Sequence, residues 1–257
     1  MEARVVAAGR GWQWIVAGFD LFRKSPVMWV ALTLVLALMW VVSFIIPILG
    51  PLLFNLLSPV FFAGLMIGCR ALEQGEDLEI SHLFAGFKQQ ATPLVTVGGI
   101  YLVGTIVVFG LVYLSADVAK LSAVISKPGT DLEALREAMR NLAVALVIGA
   151  AAYLPLLMLV WFAPLLVVFD GLAPVEAMKC SFAACWNNVL PFLVYGAAIL
   201  GLWIVLSLPA ALGAAGTVLA IALLVASIPA LFCSIYASYK DVFAAGGPAS
   251  GGNPFPR

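Results

Sequence analysis

The chain is predicted to fold as an all-α polytopic membrane protein, with about six transmembrane helices and three amphipathic interfacial helices on the cytoplasmic face. Three observations predict it. Hydrophobic residues make up 64% of the 257 and charged residues 10%, against about 45 to 50% and about 25% in ordinary globular domains. Residues 25–69, 89–116, 141–169 and 180–239 contain no Asp, Glu, Lys, Arg or His. The first and last of these runs are each long enough for two crossings of about 20 residues. Each also holds a turn near its middle, Pro47-Ile48-Leu49-Gly50-Pro51 in one and Pro209 with Gly213 and Gly216 in the other.

In order, the spans are expected at roughly 27–48, 51–70, 93–115, 142–168, 189–211 and 216–239, within a single integral membrane domain covering 1–243. The first exceeds a signal-peptide apolar core of about 7 to 15 residues and no small-residue cleavage site follows it, so it reads as an uncleaved anchor. Lys and Arg set the orientation. With the N-terminus inside, Arg4, Arg10, Arg23, Lys24, Arg70, Lys88, Lys179, Lys240 and Arg257 are cytoplasmic, and Lys120, Lys127, Arg136 and Arg140 are outside. Nine against four places both termini in the cytoplasm.

Three spans are entered from an amphipathic segment. Trp12, Ile15, Val16 and Phe19 recur at helical spacing before the first, with Phe22 continuing the face. Ile80, Leu83, Phe84 and Phe87 do so before the third, and Val175, Met178, Phe182 and Trp186 more loosely before the fifth. Short helices of this kind lie along a membrane surface. Each runs into a helix-start signal, Ser25-Pro26, Thr92-Pro93, and Asn188 with Pro191. There Ser, Thr or Asn caps orphan N–H groups, and proline gives up a donor that had no partner. The pattern is a threefold repeat of surface helix, span, turn and span; common ancestry of the three units stays open.

An extracytoplasmic helical segment, 116–141, interrupts the middle unit. Thr130 with Glu133 matches a capping box, and Leu132, Leu135, Met139 and Leu142 continue a helical stripe into the fourth span. Pro155 and Pro164 should kink that span, as bundle geometry or as a gating hinge. Along the sixth span Ala222, Ala226, Ala230, Ser234 and Ser238 place a small residue at every fourth position, suited to internal packing or to a homodimer through Ala222, Ala226, Ala230 and Ser234. The glycine- and proline-rich residues 244–257 read as a disordered cytoplasmic tail.

None of the spans carries a central ionisable group, which argues against a proton relay, a voltage sensor or an intramembrane carboxylate protease. His82 is the only histidine, so multi-histidine metal sites are excluded and triads would have to use it. Glu73, Glu76, Asp77 and Glu79 beside it match no calcium-loop spacing. Cys69, Cys180, Cys185 and Cys233 form no C-x-x-C pair and read as small hydrophobes. Lys+Arg 13 against Asp+Glu 13 leaves no basic excess for nucleic acid. No metal or cofactor is expected.

One polar cluster remains, Asp170, Ser181, Asn187 and Asn188, in "FDGLAPVEAMKCSFAACWNN". The plainer reading has Asp170 capping the third surface helix and the asparagines ending it. The alternative is a patch for a lipid headgroup or a partner.

The stretches "AGLMIGCRALEQGEDLEISHLFAGF" and "AMKCSFAACWNNVLPFLVYG" resemble an uncharacterised proteobacterial family of multi-span inner-membrane proteins. The order "AP…D…S…N…P" around Asp170 is distantly similar to YciC-like proteins and to the membrane region of some glycerophosphodiester phosphodiesterases. The resemblance implies a location in the bacterial inner membrane. It carries no catalytic domain, so no enzymatic activity is expected. The function anticipated is envelope organisation or membership of a membrane complex, with membrane lipids and a possible protein partner; the alternative is a carrier or flippase for a lipid or another amphiphile.

Overall fold

A computed structural model describes residues 3–116, 122, 124 and 132–243. Among them the chain forms ten α-helices, two short 3-10 turns and no strand. Lys120, Lys127 and the Thr130 cap, and the tail from 244 with Arg257, lie outside the described residues.

Helix α1 (Arg10–Phe22) leads into α2 (Pro26–Ser43) and α3 (Leu49–Gln74). A 3-10 turn, Ile80–Phe84, and the five-residue α4 (Ala85–Gln89) precede α5 (Ala91–Ser115). Then come α6 (Leu132–Val160), α7 (Ala163–Asp170) and α8 (Pro174–Asn187). Helix α9 (Val189–Ser207), a 3-10 turn over Leu208–Leu212 and α10 (Ala214–Phe243) complete the chain. Six segments are long and apolar enough to cross a membrane, α6 and α7 counting as one.

Several ends differ from the sequence expectation. Helix α2 stops at Ser43, and the turn to α3 passes through Ile48 at φ 67° and ψ −58°, a tight three-residue turn closed by Leu49 N on the Pro47 carbonyl at 2.7 Å and one that a β-branched residue adopts only under constraint. The constraint is a close crossing: a Cβ on Gly50 would lie 1.7 Å from the Ser43 carbonyl oxygen. The last hairpin repeats it, with a Cβ on Gly216 falling 1.9 Å from the Pro209 oxygen, again seven positions back. Helix α5 begins at Ala91, so Thr92 lies inside it and Gln90 occupies the N-cap. Neither Ser25 nor Asn188, although each stands at an N-cap, makes a side-chain capping bond. Pro155 sits in an unbroken α6; the break falls at residues 161–162, and Pro164 lies in the first turn of α7, where a missing N–H costs least.

The three units also pack alike. Each surface helix rests on the second span of the preceding unit: α4 on α3, α8 on α6 and α7, and α1 on α10, which closes the ring. Each of those spans contains an interior proline, Pro59, Pro155 or Pro229. At each contact a small residue followed by Phe faces the span: Ala17-Gly18-Phe19, Ala85-Gly86-Phe87 and Cys180-Ser181-Phe182. A Cβ on Gly18 would lie 2.5 Å from the Ser234 nitrogen, and one on Gly86 2.3 Å from the Val60 oxygen. Ser181 touches backbone as well, through its hydroxyl. The matching phenylalanines of the three units are therefore Phe19, Phe87 and Phe182.

The surface helices turn a second face inward that the apolar stripes did not identify. In α1 it is Gly11, Trp14 and Gly18, leaving Trp12, Val16 and Phe19 exposed. In α8 it is Ala177, Met178, Ser181, Ala184 and Cys185, with Val175 and Trp186 outward. Met178 is thus separated from the stripe to which its spacing assigned it.

Candidate functional site: a charge clasp and an intramembrane cavity

The polar residues collect where the two described ends of the chain meet. Asp241, in the last turn of α10, has a wholly buried side chain. Its Oδ1 accepts from Arg4 Nη2 at 2.5 Å, and its Oδ2 from Arg10 Nε at 2.6 Å and Trp14 Nε1 at 2.9 Å. A carboxylate removed from water is costly to leave alone, and two guanidinium groups with an indole N–H offset that cost through charge-assisted bonds. The segment before α1 is held along its backbone too. Arg4 N donates to the Val242 carbonyl at 2.9 Å, and Val6 N to Asn188 Oδ1 at 2.8 Å. Asn188 Nδ2 donates in turn to the carbonyls of Arg4 (3.0 Å) and Ala184 (2.9 Å).

A second set of bonds surrounds the same end of α10. Tyr236 donates to Glu73 Oε2 at 2.8 Å, and Lys240 pairs with the other oxygen of that carboxylate. Tyr239 donates to Asp170 Oδ2 at 2.6 Å, and the Arg70 guanidinium lies 5.2 Å from the centre of the Phe169 ring. Tyr236, Tyr239 and Lys240 fall at i, i+3 and i+4, so one helical face reaches both α3 and α7.

The four residues expected to form a patch are divided among separate tasks. Asp170 does not cap α8. It ends α7, because Gly171 turns left-handed at φ 66° and Leu172 N closes back on the Leu166 carbonyl at 3.3 Å; the N-cap of α8 is Ala173. Ser181 enters the backbone ladder at the α6–α7 break. Phe162 N, which would ordinarily donate to the Met158 carbonyl, donates to Ser181 Oγ at 2.9 Å, and that hydroxyl donates to the Met158 carbonyl at 2.6 Å. Asn187 is exposed and stands apart. Asn188 ties down the segment before α1 instead of capping α9.

Asp241 and its partners carry no local motif in the sequence. The available signal was the pair Lys240-Asp241 that ends the charge-free run 180–239, but nothing in linear order points from there to Arg4 and Arg10. His82 serves a local purpose, accepting from Glu79 N at 3.0 Å in a reciprocal capping box. Cys185 lies on the buried face of α8, and burial pushes its thiol up to about 12.

The small-residue seam divides along its length. Ser238 and Ser234 are buried, Ser234 beneath Gly18 and with its hydroxyl 2.6 Å from that of Tyr195, so Ser234 is not available to a second copy. Ala230 is half-buried. Ala222 and Ala226 are exposed and border a groove between α2 and α10.

A cavity of about 340 Å³ lies among α2, α3, α5, α6, α7 and α10. Phe54, Phe61, Phe62, Tyr101, Trp161 and Phe232 contribute rings to its wall, and among the described residues no charged side chain lines it. The Tyr101 hydroxyl lies 2.7 Å from that of Tyr153 across the α5–α6 contact. Such a site suits a mainly apolar body, and its described lining offers no carboxylate, imidazole or amine for acid–base chemistry.

A probable inner membrane protein of Burkholderia thailandensis is 30% identical to the chain over 258 residues, spanning 95% of this chain and 94% of that protein. No family model matches the chain, and no solved structure does.

Proposed function

Because this chain belongs to the same family as the probable inner membrane protein of Burkholderia thailandensis, and is an integral inner-membrane protein with six helices able to span, we propose that it works without catalysis, as an organising subunit of the envelope or of a membrane complex. One observation carries this reading: the reactive-looking groups are occupied in holding the helices together. Asp241, Glu73, Asp170 and Asn188 each bind another helix or the segment before α1. The surface helices meanwhile turn Trp12, Phe19 and Trp186 outward, each at least half exposed. Aromatic faces of that kind seat a protein at the lipid headgroups and offer a partner firm contact area.

In this reading both termini are cytoplasmic and the surface helices lie on the cytoplasmic face, supported by the excess of Lys and Arg there. Reporter fusions at the two ends should be active only in the form that requires the cytoplasm. Native mass spectrometry after detergent-free extraction into lipid particles tests the proposal. A reproducible protein partner, weakened by Trp12→Glu together with Trp186→Glu, is the expected result; a monomer with bulk lipid alone would overturn it.

The cavity favours a second reading, a carrier or flippase for an amphiphile. Liposomes reconstituted with the protein should then show substrate-dependent flux or lipid scrambling above protein-free controls, and an unchanged rate would remove that reading.

A further inference from the structure

We infer that the break between α6 and α7 is a two-state joint, latched by the Ser181 hydroxyl and worked by the seating of α8 in the bilayer surface. With α8 seated, the fourth span bends around that hydroxyl; when α8 lifts, the span recloses its own ladder.

The bonds define two discrete arrangements. Phe162 N donates to Ser181 Oγ at 2.9 Å, and Ser181 Oγ donates to the Met158 carbonyl at 2.6 Å. Met158 and Phe162 are four positions apart, so the two backbone groups that the hydroxyl separates are the natural partners of one α-helical bond. A hydroxyl donates and accepts at once. Its withdrawal leaves one donor facing one acceptor, and they satisfy each other. Trp161 N bonds the Leu157 carbonyl at 2.9 Å and Leu166 N the Phe162 carbonyl at 3.0 Å, so the ladder is ordinary on both sides of the interruption. Pro164 cannot donate to the Val160 carbonyl, which keeps the joint pliant in either arrangement. The bent arrangement also carries a cost, because the Trp161 indole N–H is buried without an acceptor among the described residues. That cost narrows the gap between the two arrangements, the condition for a joint that small forces can move.

Helix α8 links this joint to the bilayer. Ser181 faces the joint, while Phe182 and Trp186 stack with ring centres 6.1 Å apart and Trp186 and Val175 point outward. What covers that outer face follows from chain continuity. Helix α9, a spanning segment, starts at Val189 with Leu190 and Leu193 exposed, so Trp186 precedes a lipid-facing surface by four positions. An aromatic at that level seats among the headgroups. The level of the headgroups relative to the spans changes with bilayer thickness, so thickness acts on α8 and, through Ser181, on the joint. The other two surface helices lack the device, since Gly18 and Gly86 meet α10 and α3, which are unbroken. Val160, Trp161 and Pro164 also line the cavity, so the joint sets part of its wall. The inference needs neither a protein partner nor a transported ligand.

The test uses the full-length protein carrying fluorotryptophan in lipid nanodiscs, read by fluorine NMR, with Trp161→Phe to assign the Trp161 resonance. Dimyristoleoyl and dierucoyl phosphatidylcholine supply a thin and a thick bilayer. The expected result is two Trp161 arrangements, seen as two resonances or one averaged position, whose ratio changes at least about threefold between the bilayers. Trp14, in the clasp, should keep a single arrangement. Ser181→Ala should leave only the reclosed form, and Ser181→Thr, which retains a hydroxyl, should restore both. Trp186→Gln loosens the seat without touching the joint; it should enlarge the same reclosed population, and it serves if Ser181→Ala fails to fold. A Trp161 resonance that stays single and unmoved in every protein and in both bilayers would overturn the inference. Populations that ignore both bilayer thickness and Trp186→Gln would overturn it too, since α8 would then not work the joint.

Discussion

Helices α1 and α8 occupy equivalent places on the bundle and are fastened by different chemistry. They are 13 and 14 residues long, each rests on the second span of the preceding unit, and each turns an aromatic outward. At α1 the contact residue is Gly18, and backbone meets backbone with no room for a side chain. That approach brings dispersion contact but no directional bond, and α1 is secured by the Asp241 clasp instead. At α8 the same position is Ser181, whose hydroxyl repairs a broken ladder in the span it touches. One packing frame thus accommodates a close approach where the partner helix is intact, and a hydrogen-bonding group where it is interrupted.

The largest expected effect comes from removing what secures α1. Asp241→Ala leaves two arginines and an indole N–H without their acceptor, and should cost about 3 to 5 kcal/mol. Thermal unfolding in nanodiscs, with limited proteolysis across residues 3–9, measures it; an unaltered midpoint and uncut segment would mean that the clasp does not hold α1. Next is Gly18→Val, which places side-chain atoms against the Ser234 backbone and should cost roughly 1 to 3 kcal/mol by overpacking. Cross-linking between α1 and α10 should fall in that variant while α8 stays in place.

Ser181→Ala should cost about 2 kcal/mol, since the buried Phe162 N–H loses its acceptor and the Met158 carbonyl its donor. Ser181→Gly, which restores the residue type found at Gly18 and Gly86, should be no better than alanine. Were it to recover stability, close approach and not hydrogen bonding would be what fastens α8. The smallest effect is chemical. With its side chain buried and its thiol pushed up by that burial, Cys185 should resist maleimide at pH 8. In Ser181→Ala its labelling should rise as α8 loosens, and labelling that stays at the wild-type level would mean α8 remains docked without the hydroxyl.

Much of the fold was legible in linear order because the bilayer imposes a strong and local rule. A segment that crosses hydrocarbon must be long, apolar and helical, so charge-free runs and their central prolines and glycines revealed all six spans and both tight turns. The amphipathic surface helices were visible for the same reason. Their inner faces were not, because Gly11, Gly18 and Ala184 are weakly hydrophobic and become a face only when a neighbouring backbone lies against them. The candidate site was less legible still. Asp170 and Asn188 looked like caps because their nearest neighbours in sequence are helix ends, whereas their bonds go to Tyr239 and to residues 4 and 6.

By itself the sequence determined the membrane class, the number of crossings, the surface helices and the threefold plan, since each follows from composition and periodicity read over some 20 residues. Only the tertiary structure decided which charges meet, which hydroxyl mends the broken helix and where the bundle leaves a cavity. Those outcomes depend on residues more than two hundred positions apart, such as Arg4 and Asp241, and no local pattern encodes such a pairing. Hydrocarbon selects for apolarity one segment at a time, while the few polar groups it tolerates find their partners only when the helices pack.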